Sequence, residues 1–166
     1  AAFLGAMWAA GGGHFPIGTA ADGITINRAS SGLDAQVWPL LLSDAPAAWT
    51  ASLRYVEQAH GVDGGFDFNE DRDGVWLEGT AQAALAYRAT GQADRTQPLF
   101  RLIAGEISPG GYVWATQKAK ITTGLAIGPD STKADFFYYR WPHLGATAWA
   151  VLAATGWNPF TGERLR

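Results

Sequence analysis

The stretch Asp63–Leu85, DGGFDFNEDRDGVWLEGTAQAAL, decides how the rest of the chain is read. In it an acidic, glycine-rich loop runs straight into an alanine-rich helix. Six acidic residues (Asp63, Asp67, Glu70, Asp71, Asp73, Glu78) fall within sixteen positions with only Arg72 of opposite sign, whereas Gly79 to Tyr87 carries no charge. A helix with small residues all round (Ala81, Ala83, Ala84, Ala86) has no solvent face, so other protein must surround it. Its charged N-terminal end is then the part that can meet a ligand.

Outward from this helix the chain alternates. Ala1–Ala10 reads as an apolar helix stopped by Gly11-Gly12-Gly13, and His14–Asn27 as a short hairpin around Asp22-Gly23. Ser31 opens a second helix with Asp34 three residues on, a capping-box spacing, and Pro39 should kink or shorten it. Pro46–His60 is amphipathic, with Trp49, Leu53 and Val56 against Arg54, Glu57 and Gln58. The fourth helix is Val75–Thr90. A fifth, Gln92–Ile107, sets Leu99, Leu102 and Ile103 against Arg95, Arg101 and Glu106. Ser108–Pro142 reads as a long irregular segment before the sixth helix, His143–Thr155. Helices two, four and six are uncharged and small-residued, and three and five amphipathic, which predicts an inner and an outer ring.

The inner helices also resemble one another when written from a common leucine: LDAQVWPLL from Leu33, LEGTAQAAL from Leu77 and LGATAWAVL from Leu144. Thr80 falls with Thr147, Trp38 with Trp149, and Leu41 with Leu85 and Leu152. Helical-hairpin repeats produce such a pattern, because each hairpin needs neighbours to bury its face.

Composition narrows the function classes. With 166 residues, 48% apolar and 16% charged, the chain is one domain with a sizeable core. A net charge of -3 without any lysine or arginine block makes nucleic acid and anionic membrane poor partners. The longest weakly polar runs are too short to span a bilayer. The absence of cysteine removes disulfides, a thiol nucleophile and thiolate metal sites, and leaves the redox compartment undecided.

The alternation of helices, the aromatic and acidic loops at the N-terminal ends of the inner ones, and the pieces WLEGTAQAALAY and LGATAWAVLAATGWNPF together resemble the (α/α) toroids of the six-hairpin glycosidase type. The resemblance runs from about Gly18 onward and is one of pattern. It implies an all-α fold of helical hairpins, inner and outer helices alternating, with short β-hairpins and long loops at one face. A toroid of that type has twelve helices, so residues 1–166 would be a single domain forming the C-terminal half of a larger (α/α)6 toroid. The implied partner is carbohydrate, the implied activity glycoside hydrolysis without a cofactor. An open half-ring also predicts that the sides of helices Ala1–Ala10 and His143–Thr155 are covered by a missing N-terminal half, a homodimer mate or a partner chain.

Three constellations could carry chemistry. Asp34 and Glu78 each follow an aligned leucine, and neighbouring helices pack ~8–10 Å apart. Two carboxyls at one level would then be spaced like the acid and base of an inverting glycosidase, roughly 6.5–9.5 Å. The competing reading is helix capping, since both fall in a first turn. Asn69-x-Asp71-x-Asp73-Gly74 matches half a calcium loop, but Thr80 stands where the bidentate Glu belongs, and Asx-turn chemistry explains the residues without a metal. No metal is expected there. Phe136–His143 (FFYYRWPH) sets five rings and an arginine before an inner helix, suited to sugar stacking or to pinning its own loop. Trp38, Gln82, Tyr138, Tyr139, Arg140, Trp141 and His143 are accordingly the candidate substrate-binding residues, with Asp34 and Glu78 the candidate catalytic pair. A non-catalytic glycan-binding or assembly subunit is the alternative. A toroid terpene cyclase or prenyltransferase would need an Asp-rich ionisation motif or a Cys/His zinc set, and neither occurs.

Overall fold

The computed structural model describes residues 2–128 and 133–165. Helix α1 (Ala2–Gly11) is followed by the strand pair β1 (Gly18–Thr19) and β2 (Ile26–Asn27). Next come α2 (Leu33–Val37), continued by a 3-10 turn at Trp38–Leu41, and α3 (Ala51–Ala59), entered through a 3-10 turn at Ala47–Thr50. The pair β3 (Gly61–Val62) and β4 (Gly65–Phe66) leads through the acidic loop to α4 (Leu77–Ala89). Then follow α5 (Thr96–Gly105), the pair β5 (Lys120–Thr122) and β6 (Phe137–Tyr139), α6 (Leu144–Thr155), and the pair β7 (Trp157–Asn158) and β8 (Glu163–Arg164). The fold is mostly helical, and every strand pair is short and antiparallel.

Helix α4 is the hub. Leu77 and every residue from Gly79 to Tyr87 are buried, and the helix packs on α2, α5 and α6. Small side chains are what permit this. A Cβ on Gly79 would lie 2.2 Å from the Trp76 ring and 2.5 Å from Leu33 Cδ2, so the glycine sets how closely α2 approaches. Forcing a methyl into such a contact costs about 1–3 kcal/mol. The amphipathic helices behave as their patterns require: Leu53 and Val56 of α3, and Leu99 and Ile103 of α5, are buried while Arg54 and Arg101 are exposed.

The three aligned leucines occupy one structural position, the first residue of α2, α4 and α6. Leu33 packs on Gly79, and Leu77 shares a core cluster with Ala146, each small residue being the third of the next helix in the series. Leu144, equivalent to both, is 74% exposed. Helix α6 buries only Ala146 and Ala153, and α1 only Met7, with Phe3 and Val151 open to solvent.

Two expectations need correction. The Ser31–Asp34 capping box does not form: Gly32 is the N-cap of α2 and no side chain caps it. The Ser31 hydroxyl is used by buried His60, whose Nε2 lies 2.8 Å away, and by the Tyr55 hydroxyl, which donates to it at 3.1 Å. The segment Ser108–Pro142 is not irregular throughout. Its β5 and β6 pair Lys120 with Tyr139 and Thr122 with Phe137, and single bridges join Trp76 to Thr116 and Trp114 to Pro142. Pairing between residues so far apart leaves no local period to read. Helix two shortens at the proline, as expected, by tightening to 3-10 geometry from Trp38. Ala1 of the first expected helix and residues 129–132 of the long segment lie outside the described residues.

The acidic loop is built by its own side chains. Asn69 Oδ1 accepts from the Asp71 N–H at 3.4 Å and Asp71 Oδ1 from the Asp73 N–H at 3.1 Å, successive Asx turns. Asp73 Oδ2 accepts the Thr122 N–H at 2.9 Å and the Thr122 hydroxyl donates to Asp71, tying the loop to β5. Carboxylate oxygens of Asp67, Asp71 and Asp73 lie within 4.8 Å of one another, which adds Asp67 to the loop residues picked out from the sequence. Burial pushes the Asp67 carboxyl from 3.8 up to about 7, against hydrogen bonds from the Phe68 and Gly74 N–H groups and with help from Asp73 and Asp71. A carboxyl raised on folding holds a proton that the unfolded chain has already lost, so its contribution is complete below the unfolded value of 3.8 and vanishes as pH rises through about 7. The melting temperature in chelator should therefore fall between about pH 5 and about pH 8, and Asp67→Asn should flatten that slope. A wild-type curve that is level over this range contradicts the buried proton.

Candidate functional site

Because α2, α4 and α6 begin on aligned leucines, their second positions, Asp34, Glu78 and Gly145, are also equivalent. Glu78 uses the space that a side chain at Gly145 would take: a Cβ there would lie 2.4 Å from Glu78 Oε2. His143, the N-cap of α6, accepts the Ala146 N–H on Nδ1 at 3.1 Å, and the same Nδ1 lies 3.4 Å from Glu78 Oε2. One turn along α4, fully buried Gln82 points Nε2 at Glu78 Oε1, 3.4 Å away, and keeps its own Oε1 without a hydrogen bond.

Tyr138 closes this group from β6. Its ring stands edge-on to His143 at 5.6 Å and packs on Trp76 at 5.5 Å and Phe68 at 6.2 Å. The two carboxyls and the phenol share one electrostatic field. Burial raises Glu78 above the ordinary carboxylate range and the charge of Asp34 raises it further. Burial also raises Asp34, opposed by the N–H of Ala35, which donates to Oδ1 at 2.8 Å. Burial again, then Glu78 and Asp34, push the Tyr138 hydroxyl well above its usual value. Asp34 thus carries a first-turn hydrogen bond of the capping kind, while Glu78 accepts none from its own helix backbone among the described residues.

Trp38, at the sixth position of the α2 series, stacks on Trp149 of α6 at 6.0 Å and 19°, with Phe160 at 5.9 Å. Asp34 and Trp38 face an apolar cavity of about 260 Å³ walled by Phe3, Met7, Phe15 and Phe160. The FFYYRWPH stretch divides, because successive strand residues point to opposite faces. Tyr138 turns toward the carboxyls, whereas Tyr139 and Trp141 stack on each other at 5.0 Å and 24° on the outside, Trp141 67% exposed. Arg140 pairs with Glu106 at 2.8 Å, donates to the Thr116 and Gln117 carbonyls at 3.1 and 2.8 Å, and lies over the Trp114 ring at 5.2 Å. Its guanidinium is engaged away from Glu78.

The structure therefore gathers Gln82, Tyr138 and His143 with Glu78 and Asp34, puts Trp38 beside Asp34, and sets Tyr139, Trp141 and Arg140 apart. Sequence reasoning missed Trp76 and Gly145. Trp76 is the buried N-cap of α4, its ring against Tyr138, and the available signal was its place before an aligned leucine. Gly145 carried the same signal, since the repeat aligns it with Asp34 and Glu78.

No protein-family model matches the sequence, and no curated protein matches it. Among solved structures, a glycosidase bearing a glutamate-to-alanine substitution is similar at 14% identity and a TM-score of 0.58, covering 90% of this chain and 40% of its own. A glycosidase with another glutamate-to-alanine substitution, in complex with glucose, is similar at 15% identity and a TM-score of 0.58, with the same 90% and 40% coverage. At such identities the likeness is one of fold: the chain has a glycosidase-like fold and spans 40% of the length of each of these proteins.

Proposed function

We propose that this chain is the C-terminal half of an (α/α)6 toroid glycoside hydrolase that acts on a poly- or oligosaccharide, with Asp34 and Glu78 as its acid/base pair. The observation that carries this reading is the placement of two raised carboxyls at equivalent positions of adjacent helices, flanked by a phenol and an imidazole. A raised carboxyl can hold a proton to pass to a leaving oxygen, while the ionised carboxylate of its partner can take one from water. Gln82, Tyr138 and His143 would orient the sugar at that pair, and Trp38 would stack against it. Arg140 acts here only by bracing the segment that carries Tyr138. The glycosidase-like fold supports the class. Turnover is tested by substitution in the complete protein: Asp34→Asn and Glu78→Gln should each lower hydrolysis by about 10²–10⁴-fold while sugar affinity persists. Unchanged turnover removes the enzyme reading.

A second reading is a glycan-binding or assembly subunit, favoured by the outward Tyr139–Trp141 stack. Such a pair offers a flat apolar surface to sugar rings. Tyr139→Ala or Trp141→Ala should weaken oligosaccharide binding about 2- to 10-fold with little change in melting temperature. A mutant that chiefly unfolds identifies the rings as anchors of the loop instead.

The half-toroid reading rests on the leucine series, whose last member Leu144 lacks the small-residue neighbour that Leu33 and Leu77 have, and on the 40% coverage of the similar chains. The open sides of α1 and α6 would be covered by further hairpins of the same toroid or, for the 166-residue chain alone, by a second copy. Light scattering on that chain should show self-association. A stable monomer at high concentration contradicts the half-toroid.

A further inference from the structure

The side chains around Glu78 are arranged asymmetrically with respect to charge. Burial raises Asp34, but it accepts a backbone N–H at 2.8 Å, a contact that favours its anion and that Glu78 does not have from its own helix among the described residues. Among the described residues Glu78 accepts only the long 3.4 Å approach of Gln82 Nε2. Its other oxygen faces His143 Nδ1 at 3.4 Å. That nitrogen accepts the Ala146 N–H, so its lone pair lies in the ring plane on this side and the ring proton belongs on Nε2. An imidazolium–carboxylate pair would require a proton on Nδ1, which would set donor against donor at Ala146 and release the first turn of α6. Burial lowers the His143 pKa, in agreement with a neutral ring. Among the described residues the other titratable groups that face Glu78 are Asp34 from α2, whose charge disfavours its anion, and Tyr138 from β6, which makes no hydrogen bond to it. Gly145 leaves the carboxyl room at the start of α6, whose dipole favours an anion, but its Ala146 N–H is already taken.

We propose that His143 is a positioning residue: by committing Nδ1 as an acceptor to the first turn of α6 it faces Glu78 with a nitrogen that carries no proton and keeps that carboxyl protonated, so that Glu78 is the proton donor of the pair and Asp34 the acceptor. What the proton is used for rests on the glycosidase reading. Glu78 passes it to the leaving oxygen as the glycosidic C–O bond breaks. Asp34 takes a proton from the water whose oxygen bonds to the anomeric carbon, and the two carboxyls regain their starting states by exchange with solvent. The protonation of Glu78 does not depend on any reaction.

Carbon-13 NMR titration of glutamate carboxyls in the 166-residue chain reads it directly, with Glu78 assigned by the resonance lost in Glu78→Gln. Wild-type Glu78 should titrate above the ordinary glutamate range while His143 stays neutral. In His143→Asn the side-chain oxygen still caps Ala146 and an N–H now meets Glu78, so the midpoint should fall by about one pH unit or more with the melting temperature nearly unchanged. His143→Ser, a good cap that opens the carboxyl to water, should lower it too. In the complete protein both variants should move the acidic limb of the kcat profile downward by the same amount. An unaltered Glu78 midpoint in both variants, or a wild-type pair titrating as imidazolium and carboxylate, overturns the assignment. Shifted midpoints in a protein that hydrolyses no glycoside would keep the positioning role and defeat the glycosidase reading alone.

Discussion

Everything in this structure depends on α4 being thin enough to be surrounded. Its run of alanines, and Gly79 above all, lets α2 approach to within contact of its backbone while α5 and α6 pack on other sides. A larger residue at that level would push Leu33 and Trp76 aside and with them the start of α2. The carboxyls sit one residue before and one helix across from that contact, so the packing of small residues sets their relative placement. Close packing therefore does the positioning on which any acid/base chemistry relies.

The charge of the molecule follows from the same arrangement. A helix enclosed by protein can carry ionisable groups only at its ends, and Glu78 lies in the first turn of α4, where burial is deep enough to raise its pKa. Asp34, Tyr138 and His143 come from three other elements, yet each is also shifted toward its neutral form. Just upstream, the acidic loop solves a related problem by turn hydrogen bonds and by a raised Asp67. The two carboxylate groups differ in kind: the loop aspartates hold one another and β5, whereas Asp34 lines an apolar cavity and Glu78 lies against His143 and Gln82.

The aromatic residues divide into two populations for a geometric reason. Tyr138 and Tyr139 are neighbours in sequence, but the strand sends one ring toward Trp76 and His143 and the other outward to Trp141. Arg140, between Tyr139 and Trp141, is held by Glu106 from the end of α5 and by two carbonyls of the segment before β5. A stretch that reads as one cluster of sugar-binding residues is thus a lining, an outer surface and a brace.

Some of this was legible without coordinates. The helices, the burial of the alanine-rich one, and the equivalence of Leu33, Leu77 and Leu144 all follow from local periodicity, because helix geometry repeats over four residues and a window of the sequence contains the whole signal. The pairing of Asp34 with Glu78 in one field followed from that equivalence. What periodicity could not supply were contacts between residues far apart along the chain: Ser31 taken by His60, Asp67 joining the loop aspartates, the β5–β6 pairing, and Arg140 claimed by Glu106. Each is a choice among several partners of suitable chemistry, and only the packing of elements around α4 brings one of them within reach. The sequence by itself determined which segments are helices and which faces they bury; tertiary structure decided which polar groups meet, since a hydrogen bond is fixed by distances of tenths of an ångström that no local pattern encodes.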